Sequence, residues 1–136
     1  MKLITRDTDY AVRALREIAQ SKEKMVSTVY LEEKLGIPRA FLRKILQLLQ
    51  KSGILDSAKG NQGGFILARP AQDILLLDII KVFQGDVCVS ECVFLKEPCS
   101  QKSCCPLRGE LKKIENYALE RLGAVTLKSL SANTRK

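Results

Sequence analysis

Ser27-Thr28-Val29-Tyr30-Leu31-Glu32-Glu33-Lys34-Leu35-Gly36-Ile37-Pro38-Arg39-Ala40-Phe41-Leu42-Arg43-Lys44-Ile45-Leu46-Gln47-Leu48-Leu49 carries two helical signals with a break between them. Ser27 or Thr28 can cap a short helix running to Leu35; Gly36 ends it, and Pro38 opens the next as an early residue. The second helix gathers Phe41, Leu42, Ile45, Leu46, Leu48 and Leu49 on one side at helical spacing and leaves Arg39, Arg43, Lys44 and Gln47 on the other. A short capped helix, a Gly-Ile-Pro turn and a longer helix with cations near its start is the layout of a helix-turn-helix, whose second helix enters the DNA major groove. Standing alone, the same signals also fit a plain pair of antiparallel helices.

The flanking sequence favours the first alternative. Residues 54–58 (Ile-Leu-Asp-Ser-Ala) and 65–69 (Phe-Ile-Leu-Ala-Arg) are short β-prone runs joined by Lys59-Gly60-Asn61-Gln62-Gly63-Gly64, which predicts a hairpin. A hairpin directly behind a recognition helix is a wing, and its glycines let Lys59, Asn61 and Gln62 approach a phosphate backbone or minor groove. The tip lacks the Lys-Ser/Thr pair and following helix of a nucleotide phosphate loop. The expected DNA-contact set is therefore Thr28, Arg39, Arg43, Lys44, Gln47, Lys59, Asn61 and Gln62.

Upstream, Ala11, Ala14, Leu15 and Ile18 mark an amphipathic first helix from Thr8, ending near Ser21, with Thr8 or Asp7 available as its N-cap. Downstream, residues 77–83 predict a short helix stopped by Gly85, with Leu75 a poor cap. After a loop at 86–106, Leu107, Leu111, Ile114, Ala118, Leu122 and Val125 recur at spacings of three and four. Such a long helix with a narrow seam is most simply a dimerisation helix, through Leu111, Ile114, Ala118 and Leu122; docking on its own domain is the alternative. The expected fold is mainly α with a small β-wing. A winged helix-turn-helix DNA-binding domain occupies 1–85, a cysteine-rich loop 86–106, and a dimerisation helix with a C-terminal tail 107–136.

Composition agrees with this division. The net charge of +8 is uneven: residues 1–70 hold thirteen Lys/Arg against seven Asp/Glu, and residues 71–136 ten against eight. A basic N-terminal half is the footprint of a phosphate-binding face, although a solvated basic surface gives the same imbalance. The start of the chain has no apolar run behind its charges, and the aliphatic cluster at Ile74 to Leu77 is broken by Asp78, so a soluble cytoplasmic protein is expected. Five cysteines, Cys88, Cys92, Cys99, Cys104 and Cys105, lie within eighteen consecutive positions, with none elsewhere. An odd count without an export signal points to a metal or redox site rather than disulfides.

Several segments together resemble one bacterial regulator family. They are the opening Met1-Lys2-Leu3-Ile4-Thr5 with Asp9-Tyr10-Ala11-Val12-Arg13-Ala14-Leu15, the turn Leu35-Gly36-Ile37-Pro38, the helix start Phe41-Leu42-Arg43-Lys44-Ile45-Leu46, the wing 60–70 and the segment 77–85. The family is the Rrf-two family, which contains IscR, NsrR, RirA and CymR. The resemblance implies a homodimer with two winged heads on double-stranded operator DNA, acting as a repressor. In cluster-binding members it also implies three loop cysteines holding an iron–sulphur cluster, with [2Fe–2S] favoured over [4Fe–4S]. Cys99 and Cys105 keep the family's spacing with five residues between them, while Cys92 and Cys99 have six. Cys92, Cys99 and Cys105 are thus the implied ligands, and Cys104 competes with its neighbour. The chain has no histidine, so an IscR-type histidine fourth ligand is ruled out. Asp9 resembles the position from which NsrR-like members supply an aspartate across the dimer; alternatively it is a first-turn acid at the positive end of a helix.

The residue chemistry leaves three sensing modes open. Soft thiolates select iron–sulphur clusters, zinc or Cu(I). Three thiolates with an oxygen or vacant fourth position leave iron reactive toward nitric oxide or oxygen, whereas four make a closed site such as structural zinc. Vicinal Cys104 and Cys105 also allow a cluster-free thiol switch. An enzyme has little support, because histidine is absent and no carboxylate pair sits in a recognisable catalytic context.

Overall fold

The computed structural model describes residues 2–22, 24–60, 63–89 and 105–132. Helices α1 (Arg6–Gln20), α2 (Thr28–Leu35) and α3 (Arg39–Lys51) are followed by strands β1 (Leu55–Ala58) and β2 (Gly64–Leu67). A single 3-10 turn at Ala71–Asp73 then leads to α4 (Leu76–Gln84), α5 (Pro106–Ala124) and α6 (Leu127–Ala132). β1 and β2 pair antiparallel, with Leu55 opposite Leu67 and Ala58 opposite Gly64. Val26, just before α2, adds a bridge to Phe65 through two backbone hydrogen bonds of 2.9 and 2.8 Å. The wing is thereby tied to the entry of the helix-turn-helix.

The head is built on fully buried aliphatic side chains: Leu15 of α1, Leu31 of α2, Leu42, Ile45, Leu46 and Leu49 of α3, Leu55 of β1 and Ile79 of α4. Burying each contributes about 1.5–3 kcal/mol, so α3 is fixed in rotation by four such anchors. The apolar period had assigned Phe41 to this buried side as well. The structure turns it to the edge, 41% exposed, while Leu48 is half-buried.

Helix starts depart from the sequence reading in instructive ways. Thr5, not Thr8 or Asp7, caps α1; Thr8 lies inside the helix and is the one buried polar side chain among the described residues. Its hydroxyl donates to Gln84 Oε1 at 2.6 Å, and the same oxygen accepts from the Thr5 backbone N–H at 3.0 Å. Gln84 Nε2 donates to the Leu3 carbonyl at 3.1 Å, so the end of α4 clamps the start of α1. Pro38 stands at the N-cap of α3 rather than within it. Leu75 has no capping atom of its own, and Asp78 reaches back to accept from its N–H at 3.2 Å.

The C-terminal segment returns to the head. The long helix ends at Ala124, and Thr126 bridges to Leu75 through Leu76 N–H to Val125 O (2.9 Å) and Leu127 N–H to Ile74 O (2.8 Å). Leu127 then plugs the core at the start of α6, a helix not expected from the sequence, and Gln20 Nε2 donates to the Ser131 carbonyl at 2.9 Å. No described helix is long and apolar enough to cross a membrane.

Candidate nucleic-acid interface and cysteine loop

The turn between α2 and α3 is set by local chemistry. The Ser27 hydroxyl accepts from the Tyr30 N–H at 3.1 Å, which settles the choice of cap between Ser27 and Thr28. Gly36 sits at φ 67°, in the left-handed region where a side chain is strained, and its N–H closes α2 on the Glu32 carbonyl at 2.9 Å. Ile37 pegs the turn into the core, and the Pro38 carbonyl receives the Leu42 N–H at 3.0 Å. With Leu42, Ile45, Leu46 and Leu49 buried, α3 presents Arg43, Lys44 and Gln47 to solvent as expected. Arg39 is exposed as well, but its Nε donates to Glu32 Oε2 at 2.7 Å. An exposed pair of this kind is worth about 0–1 kcal/mol, and the guanidinium has further N–H donors. Thr28, the first residue of α2, is half-buried.

The wing glycines have a steric role of their own. A Cβ on Gly63 would stand 2.2 Å from the Ala58 carbonyl oxygen, and one on Gly64 would stand 2.4 Å from that of Val26. These positions are required by close backbone packing inside the wing, in addition to any approach to a ligand. Lys59 is exposed at the end of β1. Asn61 and Gln62 lie outside the described residues.

Of the cysteines, Cys88 is exposed and Cys105 half-buried; Cys92, Cys99 and Cys104 lie outside the described residues. Cys105 occupies the N-cap of α5, with Pro106 following and its carbonyl receiving the Gly109 N–H at 3.1 Å. A thiolate or anionic cluster there meets the positive end of a 19-residue helix, so this residue fits the ligand role. Among the described residues no three metal-ligating side chains come together. Asp9 pairs with Arg13 on its own helix at 2.9 Å, both about half exposed.

Glu115, which the sequence reading passed over, ties the other end of the loop to α5. Its Oε2 accepts from the Val89 N–H at 3.3 Å, and its Oε1 receives Lys112 Nζ at 2.6 Å. The Lys112 hydrogen bond first, then the Val89 N–H, hold its carboxyl below the usual carboxylate range; the Cys88 side chain adds a smaller effect of the same sign. Residues at both edges of the cysteine segment thus converge on one helix.

The expected dimer seam divides in two. Leu111, Ala118 and Leu122 are half-buried, whereas Ile114 is 54% exposed. Leu107 and Tyr117, 67% and 66% exposed, lie on the same side of α5 as Ile114. No residue of α5 is fully buried. Two further contacts were missed. Arg6 lies over the Phe41 ring, 4.7 Å from its centroid; a cation at a helix start was the available signal for it. Glu115 carried none, being one of several charges interleaved along α5.

Comparison with known proteins places this architecture. A family profile described as "Rrf2: Iron-dependent Transcriptional regulator" matches residues 4–133. Protein aau3 of Rhizobium meliloti is 34% identical over 128 residues, covering 93% of this chain and 83% of that protein. The structure of CymR, titled the global cysteine regulator of B. subtilis, superposes with a TM-score of 0.84 at 23% identity, covering 99% of this chain and all of that one, and supports the fold. The T. potens IscR structure gives a TM-score of 0.74 at 27% identity, covering 100% of this chain and 93% of that one.

Proposed function

The chain belongs to the Rrf2 family of transcriptional regulators, not enzymes, and from that premise we propose a homodimeric repressor that reads operator DNA with α3 and the wing and reports redox, iron or nitric-oxide status through a loop-bound iron–sulphur cluster. The observation that carries the DNA reading is α3 itself. Four buried anchors fix its rotation, and Arg43, Lys44 and Gln47 face solvent directly behind a glycine-capped turn. Arg39 joins them once released from Glu32, with Thr28 at the start of α2 and Lys59, Asn61 and Gln62 in the wing.

Cys92, Cys99 and Cys105 are the proposed cluster ligands, with Cys104 competing for the third place and Asp9 of the partner subunit as candidate fourth. Bound there, a cluster with an oxygen or vacant fourth position would supply iron reactive toward nitric oxide or oxygen. This chain's residues give that state a route to DNA. Cys105 caps α5, and Val89 is held to Glu115 of the same helix, so rearranging the thiols pulls on the helix that joins two heads. The recognition helices of a dimer must lie about 34–36 Å apart to meet successive major grooves.

The test is anaerobic purification with iron, sulphide and zinc analysis and a visible spectrum. Serine at Cys92, Cys99 or Cys105 is expected to abolish the cluster absorbance, while serine at Cys88 or Cys104 retains most of it. Stoichiometric zinc without iron would overturn the sensor reading. It would support the zinc-stabilised alternative, which the two thiols beyond the three proposed ligands favour; protein with neither metal would support a cluster-free thiol-switch regulator.

A further inference from the structure

Phe41 is the large apolar side chain of α3 that the core leaves exposed, and its ring is covered by the guanidinium of Arg6, 4.7 Å from the centroid. Arg6 is the first residue of α1, where the helix dipole disfavours a cation. Its carboxylate neighbour Asp7 is 3.6 Å away, and 62% of the Arg6 side chain remains exposed. We propose that Arg6, seated on Phe41, is a DNA phosphate contact at the edge of the recognition helix, with Phe41 as its positioning residue. The inference rests on the reading that α3 lies in the major groove.

The geometry follows from helix periodicity. Arg39 and Phe41, two positions apart, leave α3 about 200° from one another. Arg39 therefore marks the edge beside Glu32 of α2, and Phe41 marks the other edge. A helix seated in the major groove faces base edges across its exposed surface and has a phosphate strand along each flank. Arg6 stands at the second flank, and Lys44, one turn on from Phe41 and exposed, extends the same basic lane. The ring attracts the cation without offering a conventional acceptor, so the in-plane N–H donors remain for paired hydrogen bonds to a phosphate. Holding the side chain on the ring before DNA arrives also reduces the freedom lost on binding. Such a contact adds affinity and carries no base information.

The experiment uses the full chain and an operator duplex selected from a random pool, titrated across a series of salt concentrations. Arg6→Ala is expected to lower the slope of log K against log salt by about 0.9, with base preference, melting temperature and oligomeric state unchanged. Arg6→Gln, which keeps the stem and removes the charge, gives the same result should alanine disturb the start of α1. Arg6→Lys keeps the slope with several-fold weaker binding, and Phe41→Leu weakens binding at an intact slope. An unchanged slope in folded Arg6→Ala and Arg6→Gln would overturn the inference while leaving the placement of α3 standing. Arg43→Ala tests that placement separately: unaltered base preference there would overturn it and the Arg6 contact with it.

Discussion

Helices α3 and α5 both carry apolar residues at helical spacing, yet one is finished within the chain and the other is not. α3 buries Leu42, Ile45, Leu46 and Leu49 completely, whereas α5, six residues longer, buries none of its side chains fully and leaves Leu107, Ile114 and Tyr117 to solvent. The half-buried side of α5 rests on α4, and its end is stitched to the head by the Leu75–Thr126 bridge. A helix held on one side with an apolar stripe on the other is a surface awaiting a partner, and in the proposed repressor that partner is a second copy. The contrast separates residues that make the head fold from residues left for the proposed second copy.

Truncation in the two helices should expose that division. Leu42→Ala or Leu46→Ala is expected to cost about 2–5 kcal/mol in denaturant unfolding, since a cavity is left in a filled core. The double variant Ile114→Glu, Tyr117→Glu should instead keep the head's cooperative transition, sediment as a monomer and lose about 10²-fold in operator affinity as the second head's avidity disappears. A double variant that stays dimeric would remove this stripe as the interface.

Smaller effects sharpen the account of α3. Arg43→Ala should relax discrimination at one base pair by about 1–3 kcal/mol, read from competition with mutated operators. Glu32→Gln frees Arg39 from its 2.7 Å pair and is expected to raise operator affinity by no more than about 1 kcal/mol. A fall in affinity would mean that the pair orients Arg39 for binding.

The smallest effect is one of pH. The carboxyl of Glu115 is lowered from 4.5, first by Lys112 and then by the Val89 N–H. A depressed acid contributes stability that is present above its unfolded value and lost as pH falls through the folded one. The Val89 attachment should therefore persist at pH 4.5 and release only at lower pH, as the lowered carboxyl is protonated, seen as a titrating Val89 amide shift in NMR that Glu115→Gln abolishes.

What the sequence made legible was whatever local chemistry decides. The glycine-capped turn, the buried face of α3 and the hairpin behind it all follow from propensity and period. Phe41 was misplaced because period defines a direction but not the width of the buried arc, which depends on what packs against it. Thr8 read as a cap because a polar residue at a helix start usually is one; its partner Gln84 lies 76 residues away. α6 escaped for the same reason, since its six residues show no period and Leu127 is buried by a backbone bridge to a distant segment. At the cysteine loop, only the family resemblance implies Cys92, Cys99 and Cys105, with Cys104 competing, while Glu115 and Val89 become partners only once α5 is in place.

The central claim, two α3 helices reading one duplex together, is tested most directly by selecting bound DNA from a random-sequence pool with the native protein at moderate salt. The account predicts an inverted repeat whose half-site centres lie about 10–10.5 base pairs apart or a multiple of that, with protection over both halves. Enrichment of a single unrepeated half-site, or of no sequence at all, would contradict it.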